Sequence, residues 1–240
     1  MRILYFVSIL TLATLAMQCS PMAPSKMRYG RTEVSTYQPS TTNPMTTSRM
    51  MQMVRLKKDM VPRGQHGRRV VRPMTPRYIT IHSTQNYTAG AEKHALALKR
   101  GALRSPKTRR GNRIGYLIWH YTVDEKMAIQ HMPTYEQGEH ADFHGAGNRL
   151  SIGIEMCEER GSNIRATVER TAMLTAVLMK QKNIPLRNVV PHYHWPRKGR
   201  KPEHKNCPHF LLDDGKPGKK WRWFQSRVNH YYKMLNHAPV

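Results

Sequence analysis

Three side chains in this sequence could together hold a metal ion. His82 and His192 each stand at the end of a strand-like segment, and Cys207 follows in Lys205-Asn206-Cys207-Pro208. Two imidazoles and one thiolate suit zinc, and three protein ligands leave a fourth tetrahedral position open to water, the arrangement of a catalytic site. Glu155, on another strand, could serve as general base. The spacing leaves alternatives open. His194 lies close enough to His192 to compete as a ligand, and Cys157 could pair with Cys207 in a disulfide, which would remove that ligand. The chain has 13 His, and most have ordinary readings: His66 and His237 in tails, His94 and His230 on helix surfaces.

The elements that must position these residues follow from hydrophobic periodicity. Arg77–Thr84 alternates as a strand, with Ile79 and Ile81 on one face and Tyr78, Thr80 and His82 on the other. A helix is expected from Thr88 through Leu98, closed by Gly101. Residues 102–113 read as a basic loop. Ile114–Val123 and Met127–His131 read as a hairpin turning at Asp124-Glu125-Lys126. Residues 133–149, rich in Gly and His, read as a long functional loop. Ser151–Cys157 is a strand with Ile152, Ile154 and Met156 on one face and Gly153, Glu155 and Cys157 on the other, which would put Cys157 on the floor of the site. Residues 166–181 carry helical spacing in Val168, Ala172, Met173, Ala176, Val177 and Met179. Asn188–Tyr193 is a short strand, 196–206 a basic loop and 221–236 a terminal helix. Interleaved strands and helices predict an α/β fold, a single domain with a mixed central β-sheet flanked by helices.

Composition bounds the rest. The 240 residues carry 40 Lys and Arg against 15 Asp and Glu, a net charge of +25, which points to an anionic partner. Three Cys exclude a disulfide-dense scaffold. No zinc-finger spacing, basic zipper or RNA-recognition signature supports a specific nucleic-acid role. Arg2 and the apolar run from Ile3 to Ala16 predict a secretory signal peptide over residues 1–19, too short for a transmembrane span. Leu15-Ala16-Met17-Gln18-Cys19 offers Cys19 as an alternative lipid anchor. The protein is thus expected to be exported, to the periplasm or the extracellular space, with or without an anchor. Residues 20–71 lack a sustained apolar period; seven of the 16 Met and ten Lys or Arg against two acids fall in 21–70. That stretch is expected to be a disordered basic linker, with the catalytic domain at 72–240.

Five blocks carry a resemblance: Ile79-Thr80-Ile81-His82-Ser83-Thr84, Trp119-His120-Tyr121-Thr122-Val123-Asp124, Ser151-Ile152-Gly153-Ile154-Glu155-Met156-Cys157, Asn188-Val189-Val190-Pro191-His192 and Lys205-Asn206-Cys207-Pro208. In this order, over about residues 77–235, the sequence resembles the zinc-dependent N-acetylmuramoyl-L-alanine amidases of the type-2 amidase family, relatives of the peptidoglycan recognition proteins. The resemblance implies Zn2+ as cofactor, peptidoglycan as partner, and hydrolysis of the amide between N-acetylmuramic acid and L-alanine. It implies His82, His192 and Cys207 as metal ligands, Glu155 as catalytic acid–base, Lys205 as oxyanion stabiliser, and His120, Trp119 and His140, with His144, as residues bordering the substrate cleft. Trp119 stands where some relatives carry a tyrosine, and Arg197-Lys198-Gly199-Arg200-Lys201 is a basic insertion expected at the site rim. The family also contains non-catalytic peptidoglycan-binding modules, usually lacking a ligand. Retention of all three ligands and the glutamate favours the enzyme.

Overall fold

The parity of two strands sets the architecture. In β2 (Tyr78–Ser83) and β5 (Ser151–Met156), alternate residues are apolar, and Ile79, Ile81, Ile152, Ile154 and Met156 are all fully buried. They share one core with α4 (Ile164–Lys182) and α5 (Lys219–Asn236). The opposite parity, Thr80 and His82 on β2 with Gly153 and Glu155 on β5, therefore falls on the other face of the sheet. That face is polar, and covered all the same.

The structure, a computed structural model, describes residues 44–105 and 114–236. The expected signal peptide and Cys19 lie outside the described residues, and none of the described helices is long and apolar enough to cross a membrane. A six-stranded mixed sheet runs from β1 (Leu56–Lys58) through β4 (Ala128–Gln130), β3 (Tyr121–Val123), β5 and β2 to β6 (Val189–Pro191). β5, β2 and β6 are parallel neighbours, and β3 pairs parallel to β5. β3 and β4 form the expected antiparallel hairpin, but its first strand is confined to Tyr121–Val123 instead of running from Ile114. Helix α2 (Ala91–Lys99) begins three residues later than expected. The long loop after the hairpin contains one short helix, α3 (Ala146–Leu150). Helix α4 carries the foreseen apolar stripe: its start is capped by the Asn163 side chain accepting from the Ala166 amide, and it ends at a left-handed Asn183.

The expected linker is corrected from residue 44 onward. Helix α1 (Thr47–Val54) is capped by the Thr46 side chain, and its Met50 and Val54, one turn apart, are fully buried in the main core. β1 adds a parallel edge strand beside β4. Arg68 then forms a buried bidentate ion pair with Glu136, both bonds at 2.8 Å. Helix α1 is short and buries only these two side chains, too few for a periodicity test, so the segment reads as linker from sequence alone. His66 accordingly sits in a short 3-10 turn of the fold rather than in a tail.

If this segment belongs to the domain, Met50→Ala leaves a core cavity and lowers unfolding free energy by about 2–5 kcal/mol, measured by urea denaturation. A tether would change by less than about 0.5 kcal/mol.

Candidate metal centre

β2 and β5 run parallel in a register that places His82 directly opposite Glu155. β6, on the other side of β2, ends at Pro191, so His192 follows at the same carboxyl end of the sheet. Carboxyl ends of parallel strands are where α/β sheets bind ligands. Cys207 reaches this end through its turn: the Ser83 amide donates to Cys207 Sγ at 3.3 Å. One donor atom from each of His82, His192 and Cys207 lies within 4.8 Å of the others, and all three residues are buried.

Hydrogen bonding decides which ring nitrogens face inward. His192 Nε2 lies 3.0 Å from the Ala141 carbonyl, so it donates, leaving Nδ1 unprotonated; that buried Nδ1 has no hydrogen-bond partner. His140 Nε2 faces the Ser151 carbonyl at 3.4 Å, and His140 Nδ1 lies 3.0 Å from His82 Nε2. A carbonyl only accepts, so His140 donates to Ser151 and receives the proton of His82 Nε2. The lone pair of His82 Nδ1 is thereby turned toward Glu155, 3.7 Å from its Oε1. Glu155 Oε2 is also buried without a partner. Unpaired buried acceptors are costly, and the one on His192 belongs to a ring that meets His82 and the Cys207 sulfur in one cluster. Two imidazole nitrogens and one sulfur make a soft donor set that fits a zinc-like cation.

The electrostatics agree. Burial holds the His82 and His140 imidazoles well below their ordinary value, with neighbouring imidazoles adding to the effect. Burial, then the Lys205 ammonium, brings His192 down to about 3. The His82 and His192 imidazoles are thus neutral, as coordination requires. Burial pushes the Cys207 thiol up to about 12, with the Glu155 carboxylate adding to the rise and Lys205 opposing it. A cation is what would draw off its proton. Burial likewise raises Glu155 to about 7, against the pull of Lys205, with Glu158 adding to the rise. That is a suitable range for a general base. The half-buried Lys205 thus acts electrostatically on His82, His192, Cys207 and Glu155 alike.

The remaining expected residues fall elsewhere. His120 is fully buried and both its nitrogens are engaged: Nε2 donates to the Glu136 carbonyl at 2.9 Å and Nδ1 accepts from the Gly153 amide at 3.0 Å. Trp119 is buried among Val61, Leu98, Ile118 and Met132, its indole donating to Thr122 Oγ1 at 2.7 Å. Neither borders an open cleft. His140 is buried as the partner of His82, while His144 is exposed. Residue types alone could not separate buried supports from surface contacts. Cys157 and Cys207 are both free, so the disulfide alternative does not hold. Cys157 lies just past the end of β5 and packs with Ala91, Ala95 and Ile129, its sulfur 3.7 Å from His94 Nδ1. That removes it from the site floor, and buries His94 instead of leaving it on a helix surface. His194 is exposed and outside the cluster. The basic insertion packs at the rim, with the Arg200 guanidinium 5.6 Å from the Phe143 ring centroid.

Sequence reasoning passed over Asn148. Its side-chain oxygen accepts from the amides of His140 and Ala141, and its nitrogen donates to Glu139 and the Phe143 carbonyl. It thereby fixes the loop that orients His82 and His192. The signal was Asp142 and Asn148 flanking Gly145 and Gly147, a pattern of side chains that bond nearby backbone. Gly153 is a second such residue: a Cβ there would lie 2.8 Å from the His140 ring. Gly153→Ala should therefore dislodge His140 and weaken metal binding about tenfold or more, read by competition with a chromogenic chelator while circular dichroism confirms folding.

Comparisons with known proteins point to one family. A family described as N-acetylmuramoyl-L-alanine amidase (Amidase_2) matches residues 72–210. N-acetylmuramoyl-L-alanine amidase XlyA of Bacillus subtilis (strain 168) is 40% identical over 162 residues, 67% of this chain and 48% of the relative. N-acetylmuramoyl-L-alanine amidase CwlH of the same organism is 39% identical over 165 residues, 67% of this chain and 58% of the relative. The chain thus spans about half the length of these curated relatives. The solved catalytic domain of XlyA aligns over 73% of this chain and 99% of that domain, with 37% identity and a TM-score of 0.57. The structure of PlyL aligns over 73% and 96%, with 28% identity and a TM-score of 0.54. Since the family match covers more than half of the sequence and takes in His82, Glu155, His192 and Cys207, the chain belongs to the Amidase_2 family of N-acetylmuramoyl-L-alanine amidases.

Proposed function

We propose that this protein is a zinc-dependent hydrolase of peptidoglycan, cutting the amide between the lactyl group of N-acetylmuramic acid and the L-alanine of the stem peptide. The observation that carries this reading is the convergence of three buried ligand atoms with a glutamate set directly opposite one of them. The family and the named activity of the relatives support the substrate. An exported location rests on the residues Arg2 to Ala16, and wall-associated action on the relatives.

His82 Nδ1, His192 Nδ1 and Cys207 Sγ would hold the zinc. The chemistry it supplies when bound is Lewis-acid polarisation of water and of the amide carbonyl. Glu155 takes a proton from the attacking water on its unpartnered Oε2 and later delivers it to the leaving amine of L-alanine. The Lys205 ammonium faces the negative charge that develops on the carbonyl oxygen; a donor of this kind contributes roughly 3–4 kcal/mol. His140 and the Ala141 carbonyl keep the ligating imidazoles in the required tautomer. The high positive charge draws the protein to anionic wall surfaces, an attraction that salt weakens.

A wall-binding module without activity would have no use for Glu155, and that separates the two readings experimentally. Glu155→Gln should lower turnover on peptidoglycan by about 10²–10⁴-fold while binding zinc as the wild type does. His82→Ala should lose zinc and activity together, both followed by metal analysis of the dialysed protein and by release of soluble wall fragments. Wild-type-like turnover of Glu155→Gln would refute the role of Glu155.

A further inference from the structure

The residues next to the site's key positions are joined by a second set of contacts that the reaction itself does not use. Ser83 follows the ligand His82; its amide donates to Cys207 Sγ at 3.3 Å, and its Oγ lies 3.2 Å from His209 Nδ1. His209 stands two residues after Cys207, and its Nε2 lies 3.3 Å from Glu158 Oε2. Glu158 stands three residues after Glu155 on the segment leaving β5, and its other oxygen accepts the Gln85 amide. Gln85 has a positive φ of 51°, a conformation that a residue with a side chain adopts only when its surroundings hold it there. Ser83 is 2% exposed and the Glu158 side chain 4% exposed. The carboxylate accepts from His209 Nε2–H, and the Ser83 hydroxyl stands within hydrogen-bonding reach of both His209 Nδ1 and the same carboxylate, so the three side chains close a triangle.

We propose that Glu158, His209 and Ser83 form a positioning relay that fixes the Cys207 sulfur in the metal centre, with His209 as its controlling member. The inference rests on the reading of His82, His192 and Cys207 as the metal ligands. The geometry gives the relay this task. The turn carrying Cys207 has no strand pairing to β2; it is tied there through sulfur to the Ser83 backbone and through His209 to the Ser83 side chain. Glu158 closes the loop by joining the same imidazole to the segment that follows Glu155. One network thus links the backbone beyond His82, Glu155 and Cys207, three of the positions that must stay in register. None of the three relay side chains points a free group at the ligand cluster, so they are positioning residues. Groups that orient a ligand commonly account for about 10–100-fold in metal affinity.

The test uses the full chain in His209→Ala, His209→Asn and His209→Gln, with two readouts. The first is zinc affinity by chelator competition. The second is the rate of Cys207 alkylation by iodoacetamide in the zinc-free protein, followed by peptide mass spectrometry with buried Cys157 as internal reference. His209→Ala should weaken zinc binding about 10–100-fold and speed Cys207 alkylation relative to Cys157, with the melting transition still cooperative. Asn carries a polar group near the position of Nδ1, so His209→Asn should recover most of the affinity. Gln carries one near Nε2 and should recover less. Zinc affinity and Cys207 reactivity in His209→Ala within about twofold of wild type would overturn the relay. Equal loss in Ala, Asn and Gln with a lowered melting temperature would also overturn it, as a packing effect. A wild type that binds no zinc would instead refute the ligand assignment beneath it.

Discussion

The site depends on one constraint: every nitrogen of a buried imidazole must be accounted for. His82, His120, His140 and His192 are packed together on the polar face of the sheet, too deep to be charged. Each neutral ring has one proton to give. Backbone carbonyls of Glu136, Ser151 and Ala141 take three of these, and His140 takes the fourth from His82. The Gly153 amide occupies the remaining nitrogen of His120. What is left over is one lone pair on His82, 3.7 Å from the carboxylate of Glu155, and one on His192, whose ring clusters with His82 and Cys207. The candidate metal site is what the hydrogen bonding of these four rings leaves over.

That remainder exists only if the backbone acceptors stand still, and much of the fold serves this end. Strand parity puts Ile79, Ile81, Ile152 and Ile154 against α4 and α5 and so commits His82 and Glu155 to the other face. Gly153 lacks the Cβ that would displace the His140 ring. Asn148 braces the loop from which the Ala141 carbonyl reaches His192. The ion pair from Arg68 to Glu136 secures the loop that supplies a carbonyl to His120. The last of these comes from the segment before residue 72, so that segment is joined to the polar face carrying the candidate site as well as to the core.

Much of this is legible in the sequence where the signal is periodic or chemical. The alternation in β2 and β5 and the apolar stripe of α4 foretell their buried faces, because a two-fold or 3.6-fold repeat reports burial directly. His82, His192 and Cys207 stand out by ligand chemistry, and the fold brings them together from distant parts of the chain. What escapes is local or short. Helix α1 buries only Met50 and Val54, too little for a period. The resemblance implies His120 and Trp119 as cleft residues, and residue type cannot correct it, since an imidazole bonded at both nitrogens and one open to solvent look alike in a sequence. Cys157 follows strand parity to the expected face, yet the strand ends one residue earlier and the side chain packs under α2 instead. Glu158, His209 and Ser83 give no signal, since three common polar residues scattered along the chain acquire meaning only when folded together.

The most direct measurement of the central claim is mass spectrometry of the soluble products released from purified peptidoglycan by the wild-type protein, with zinc and with a chelator. Release of free stem peptides that begin at L-alanine, abolished by the chelator and restored by zinc, is the predicted result. Release of the same peptides undiminished under full chelation, or products cut at any other bond, would contradict it.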